Sequence, residues 1–93
     1  MKKLFKTTDD KLLELGFSKE HENRYGARYT REEATYVHVV DIVKKSFGRS
    51  ILQSYDKDLM DDSFIGNVGV GLTYKELRLF TKKMKELGLH KEY

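Results

Sequence analysis

Cysteine is absent from the 93 residues. Disulfides and thiolate metal centres are thereby excluded, and a reducing compartment is compatible. No apolar run approaches the roughly 18 residues that a membrane-spanning helix requires, so no membrane partner is expected. Met1-Lys2-Lys3-Leu4-Phe5-Lys6 is basic, but no apolar signal-peptide core follows, and a cytoplasmic location is expected. Charge excess is also small. Eighteen Lys and Arg against 15 Asp and Glu leave a formal +3. That permits a nucleic-acid or acidic-protein partner without requiring one.

Signatures of chemistry are missing as well. His21, His38 and His90 are scattered and have no partner at metal-ligand spacing. Ser46, Ser50 and Ser54 lack a nucleophile elbow. Asp56, Asp58, Asp61 and Asp62 cluster, but a calcium loop would place Met60 at its fifth position and Asn67 at its twelfth. Gly66-Asn67-Val68-Gly69-Val70-Gly71 precedes a helix, yet it matches neither the P-loop nor the dinucleotide fingerprint. It reads as a flexible or strand-like segment, not an anion cradle. No enzymatic activity, cofactor or metal is expected.

What is present suffices for a fold. Hydrophobic residues make up 39% of the chain and charged residues 35%, a globular balance. A chain of this length buries roughly 60–65% of its unfolded surface, which allows a small core. One domain, 1–93, is expected, with 1–7 frayed and 56–72 a long connecting loop.

The longest β-branched run is Tyr36-Val37-His38-Val39-Val40-Asp41-Ile42-Val43. Val and Ile suit a strand because their χ1 restriction costs little there. Both faces of the run are partly apolar, which suits a middle strand. Asp41 selects the face. An unpaired buried carboxylate is costly, so Tyr36, His38, Val40 and Ile42 are expected inward. Val37, Val39 and Val43 then lie outward with Asp41, and a one-residue slip would invert the arrangement. Arg24-Tyr25-Gly26-Ala27-Arg28-Tyr29-Thr30 and Ser50-Ile51-Leu52-Gln53-Ser54-Tyr55 read as further strands, the latter returning from a turn at Ser46-Phe47-Gly48-Arg49. Ser18 to Asn23 reads as a short edge strand.

Two helices complete the pattern. Thr8-Asp9-Asp10 opens the first, with Thr8 as cap and Leu12, Leu13 and Leu15 as its apolar side. Gly16 ends it, with Phe17 folding back on Leu12. Thr73 and Glu76 form a capping box for the last helix. Its apolar stripe is expected at Leu77, Phe80, Met84 and Leu87, with Lys75, Arg78, Lys82 and Lys85 opposite. The fold class is α+β: a short N-terminal helix, an antiparallel meander of three to four strands, and a long C-terminal helix on one sheet face.

Taken together, Asp9-Asp10-Lys11-Leu12-Leu13-Glu14-Leu15-Gly16-Phe17, the hairpin around Ser46-Phe47-Gly48-Arg49-Ser50 with Gln53-Ser54-Tyr55-Asp56-Lys57, and Gly71-Leu72-Thr73-Tyr74-Lys75-Glu76-Leu77 resemble small uncharacterised proteins of phages and prophages of low-GC Gram-positive bacteria. The resemblance implies an intracellular accessory protein. It brings no activity and no functional residues.

Two readings of function follow. In the first, Val37, Val39, Val43 and Leu52 form an apolar patch on an open sheet face, covered by a protein partner or a second copy of the chain. In the alternative, the register is flipped and the protein binds single-stranded nucleic acid. Tyr25, Tyr29 and Tyr36 then form a stacking platform beside Arg24 and Arg28, and the helix row Lys75, Arg78, Lys82 and Lys85 grips phosphates.

Overall fold

The first helix, α1 (Thr8–Glu14), begins at a reciprocal cap. Thr7 Oγ1 accepts the Asp10 N–H at 3.0 Å, and the Asp10 carboxylate accepts the Thr7 N–H at 3.0 Å. The cap is therefore Thr7, a residue of the segment expected to fray, and not Thr8. The reason is the spacing: a capping box needs an acid three residues on, which Asp10 supplies for Thr7 and Lys11 would not supply for Thr8. Thr8 is instead buried, and its hydroxyl donates to Glu86. The structure, a computed structural model, describes residues 6–45, 49–57 and 69–89.

The two helices bounded within the described residues stop in the same way. In α1, Gly16 takes φ +97°, its N–H donates to Leu13 O, and the Phe17 N–H donates to Leu12 O. In α2 (Tyr74–Glu86), Gly88 takes φ +73°, its N–H donates to Lys85 O, and the Leu89 N–H donates to Met84 O. These paired bonds are Schellman motifs, and each delivers its apolar residue, Phe17 or Leu89, to the core.

Among the described residues, four strands lie between these helices: β1 (Ser18–Asn23), β2 (Gly26–Glu32), β3 (Val37–Lys44) and β4 (Ser50–Asp56). They form an antiparallel sheet in the order β1-β2-β3-β4. The fold is α+β, as the pattern predicts. β2 starts later than expected, because Asn23 pairs with Gly26, at which a Cβ would lie 1.8 Å from Ile42 O. Arg24 and Tyr25 consequently belong to the turn. Beyond β4, Gly69 bridges Tyr55 and the Val70 N–H donates to Ser54 O at 3.0 Å. The end of the glycine-rich segment thus runs strand-like along β4. Its start (66–68), Asp58, Asp61 and Asp62 of the acidic cluster, and the 46–48 turn lie outside the described residues.

The register of β3 is the one Asp41 implies. His38, Val40 and Ile42 are buried, with Tyr29 opposite Val40 and Ala27 opposite Ile42. These residues join Leu12, Phe17, Leu79, Phe80 and Leu89 in the buried core around the rings of Phe17, Tyr29, Phe80 and His38. Burying a side chain such as Phe80 contributes about 2–3 kcal/mol. Tyr36 falls in the turn before β3 and is only half-buried. Asp41 points outward as expected but is not exposed. It is buried against Arg28 and Tyr55.

Two apolar assignments need correction. Leu13 is 61% exposed, so α1 buries only one side of its Leu12-Leu13-Leu15 run. In α2 the buried residues are Glu76, Leu79, Phe80 and Lys83, whereas Leu77 is 44% exposed. The helix is turned so that two charged side chains enter the buried face, because each finds partners there.

Candidate functional site

Those partners define one side of α2. The Glu76 carboxylate caps Thr73 N–H at 2.8 Å and accepts from Arg31 Nη1 at 2.7 Å. Burial pushes Glu76 up, but the Thr73 backbone bond and the Arg31 guanidinium outweigh it and hold the carboxyl below its ordinary value. Arg31 also donates to Leu15 O, the last turn of α1, and to Glu33, while its guanidinium lies 4.2 Å from the centre of the Phe17 ring. Lys83 reaches Glu22 at 2.8 Å and Asp9 at 3.3 Å. Its own burial opposes the charge, and these two carboxylates more than restore it. Asp9 additionally binds Lys19 and the Tyr29 hydroxyl.

The acids of the fold are therefore heavily used. Asp9, Glu22, Glu33, Asp41 and Glu76 all hold internal cations or hydroxyls. The neighbouring face of α2 receives none of them. There Lys75, Arg78 and Lys82, spaced i, i+3 and i+7, share one side of the helix. With Tyr74 and Leu79 they face Lys6, Lys11, Glu14 and Leu15 of the α1 region across a cleft of about 470 Å³. Lys6 pairs with Glu14. Lys11, Lys75 and Lys82 have no carboxylate partner among the described residues, and Arg78 lies 5.7 Å over the Tyr74 ring. Like charges converging on one concavity raise the local concentration of anions.

The helix row expected from sequence is thus three-quarters present at the cleft, since Lys85 is exposed but does not line it. Lys6, Lys11 and Tyr74 were not foreseen. Lys11 and Lys75 are distant in the chain, and only the docking of α1 beside α2 brings them together.

The remaining candidates do not assemble. Tyr29 is buried and its hydroxyl donates to Asp9; burial, then the carboxylate, drives its pKa up. Arg28 is held bidentate by Asp41, at 2.7 and 3.2 Å. The Tyr55 hydroxyl donates to the same carboxylate at 2.6 Å, and burial followed by that bond pushes Tyr55 up to about 12. Arg24 stacks on Tyr25 in the β1–β2 turn. No platform of Tyr25, Tyr29 and Tyr36 exists, because the register is not flipped.

Nor do Val37, Val39, Val43 and Leu52 share a face. Leu52 pairs with Ile42 and packs against the core, so it lies on the inner side. Ile51, opposite Val43, occupies the outer position instead. Val39 is only 2% exposed. The strand parity that separates Leu52 from Ile51 depends on the hairpin register, which the turn sequence alone does not fix.

His38 merits a chemical reading because its Nε2 contacts Ser54 Oγ. A nucleophilic pair would need an unprotonated Nε2. Here Nδ1 faces the Arg31 Nη2 donor at 3.3 Å, which leaves the ring proton on Nε2, pointed at the serine oxygen. In that tautomer the imidazole cannot take the serine proton. Burial, reinforced by Arg31, also holds the His38 pKa below its ordinary value.

Comparison with protein families, with characterised proteins and with solved structures returns no significant match. Among the described residues no helix is long and apolar enough to cross a membrane, and no group of His, Cys, Asp and Glu is placed to hold a metal.

Proposed function

We propose that this protein is a binding module that holds the backbone of a nucleic acid in the cleft between α1 and α2. One observation carries the reading: Lys11, Lys75, Arg78 and Lys82 share a cleft whose one carboxylate among the lining residues, Glu14, is taken by Lys6, in a fold that pairs Asp9, Glu22, Glu33, Asp41 and Glu76 internally. A phosphate backbone relieves that repulsion and releases counterions as it binds. The expected patch of Val37, Val39, Val43 and Leu52 gives less support to a protein partner or homodimer, since its members are split between two faces. An accessory role in a phage or prophage, which the resemblance implies, is compatible with such a binder.

Fluorescence anisotropy with a labelled single-stranded oligonucleotide at about 50 and 200 mM salt tests the proposal. Four phosphate contacts give a slope of log K against log salt near about −3, so affinity falls about 50-fold between the two. Replacing Lys75, Arg78 and Lys82 together by Ala is expected to flatten that slope and abolish most binding, with the thermal transition intact. Binding that ignores salt, or survives the triple variant unchanged, would contradict it.

A further inference from the structure

We infer that Tyr74 is a base-stacking residue of this cleft, and that its ligand is single-stranded rather than duplex nucleic acid. The inference rests on polyanion binding in the cleft and adds to it the class of strand.

Tyr74 is 75% exposed, the most exposed of the large hydrophobic residues among those described. It is the first residue of α2 and lines the cleft beside Lys75 and Arg78. Among the other described tyrosines, Tyr29 and Tyr55 are buried with their hydroxyls on Asp9 and Asp41, Tyr25 receives the Arg24 guanidinium, and Tyr36 is half-buried and does not line the cleft. The Tyr74 hydroxyl has no hydrogen-bond partner among the described residues, and the Arg78 guanidinium lies 5.7 Å from the centre of its ring. An aromatic face so presented, next to unpaired cations, matches the way single strands are bound: phosphates on Lys and Arg, bases on exposed rings. Arginine contributes from both sides, as a phosphate donor and as a plane over the ring.

The dimensions agree. Lys75 and Lys82 are separated by about 10 Å along the helix, at 1.5 Å per residue. That spans about three nucleotides at the 3.4 Å spacing of one stacked strand. Tyr74 stands at the start of this row, so a base stacked on it places the following phosphates along the cations. In a duplex each base is already stacked and paired, and its face is closed to the ring. Selection between strand classes therefore falls to Tyr74, whereas the cations attract either.

The test compares the whole chain with its Tyr74→Ala and Tyr74→Phe variants. Binding is measured to labelled oligo(dT), to oligo(U), to a duplex of the same length, and to heparin. The expected result is a roughly tenfold loss on single strands for Tyr74→Ala. Duplex and heparin binding stay level, and Tyr74→Phe behaves as the parent. The oligo(dT) and oligo(U) arms separate DNA from RNA as the source of the strand. If Tyr74→Ala matches the parent on single strands, or loses all ligands equally, the stacking role is overturned while the basic cleft stands. If the parent binds none of the four, the cleft reading falls and the stacking role with it.

Discussion

Lys82 and Lys83 are adjacent in the chain and opposite in role. Lys83 enters the buried face of α2, where Glu22 and Asp9 hold it. Lys82 is exposed at the cleft and meets no carboxylate among the described residues. The same contrast separates Glu76 from Lys75. One face of the helix uses charge to attach it to β1, β2 and α1. The other leaves charge uncompensated. A cation is informative about binding only when its internal partners have been counted, and net charge conceals this, since +3 averages a paired interior with an unpaired cleft.

The largest effect that can break this comparison is on the buried face. Glu76→Ala removes an N-cap bond and leaves Arg31, partly buried, without its closest carboxylate. A loss of about 3 kcal/mol in urea unfolding is expected. A change within about 0.5 kcal/mol would mean that this face is no more structural than the other.

A smaller effect comes from pH. His38 faces Arg31 and Ser54 directly, with Phe17 packed against it and Glu76 and Glu33 nearby through Arg31. Its folded pKa is depressed, so the unfolded chain takes up the proton first. Stability is full above the ordinary histidine value of 6.5 and is lost as pH falls from there through the folded value. His38→Gln removes that window. The depressed carboxylates Asp9, Glu22 and Glu76 lose their contribution only at more acid pH, as it falls below their ordinary values of 3.8 to 4.5 and through the folded ones. Among the described residues no histidine lines the cleft, so oligonucleotide binding should stay level where stability begins to fall. Unfolding and anisotropy followed together from about pH 8 to pH 5 would show whether the two faces separate in this way.

Much of the fold was legible in the chain because local chemistry specifies it. The Gly16 and Gly88 stops, the Thr73–Glu76 box and the inward face of β3 each depend on a few neighbouring residues. Thr7 was legible too, since Asp10 completes its box. What escaped was set by contacts distant in sequence. Hydropathy assigns Glu76 and Lys83 to solvent, because nothing near them in the chain announces Arg31, Glu22 or Asp9. That misassignment rotated the expected stripe of α2 toward Leu77. It also hid the cleft, whose α1 wall cannot be deduced from the α2 row alone.

The most direct measurement sets the two adjacent lysines against each other. Lys82→Ala and Lys83→Ala are each assayed for unfolding and for oligonucleotide binding at about 50 mM salt. Lys82→Ala should keep the parent's stability within about 0.5 kcal/mol and bind several-fold more weakly. Lys83→Ala should lose about 1–2 kcal/mol, less than a fully buried pair because Lys19 still serves both carboxylates, and bind as the parent does. Equal losses of binding in both variants, or of stability in both, would contradict the division of α2 into a structural face and a binding face.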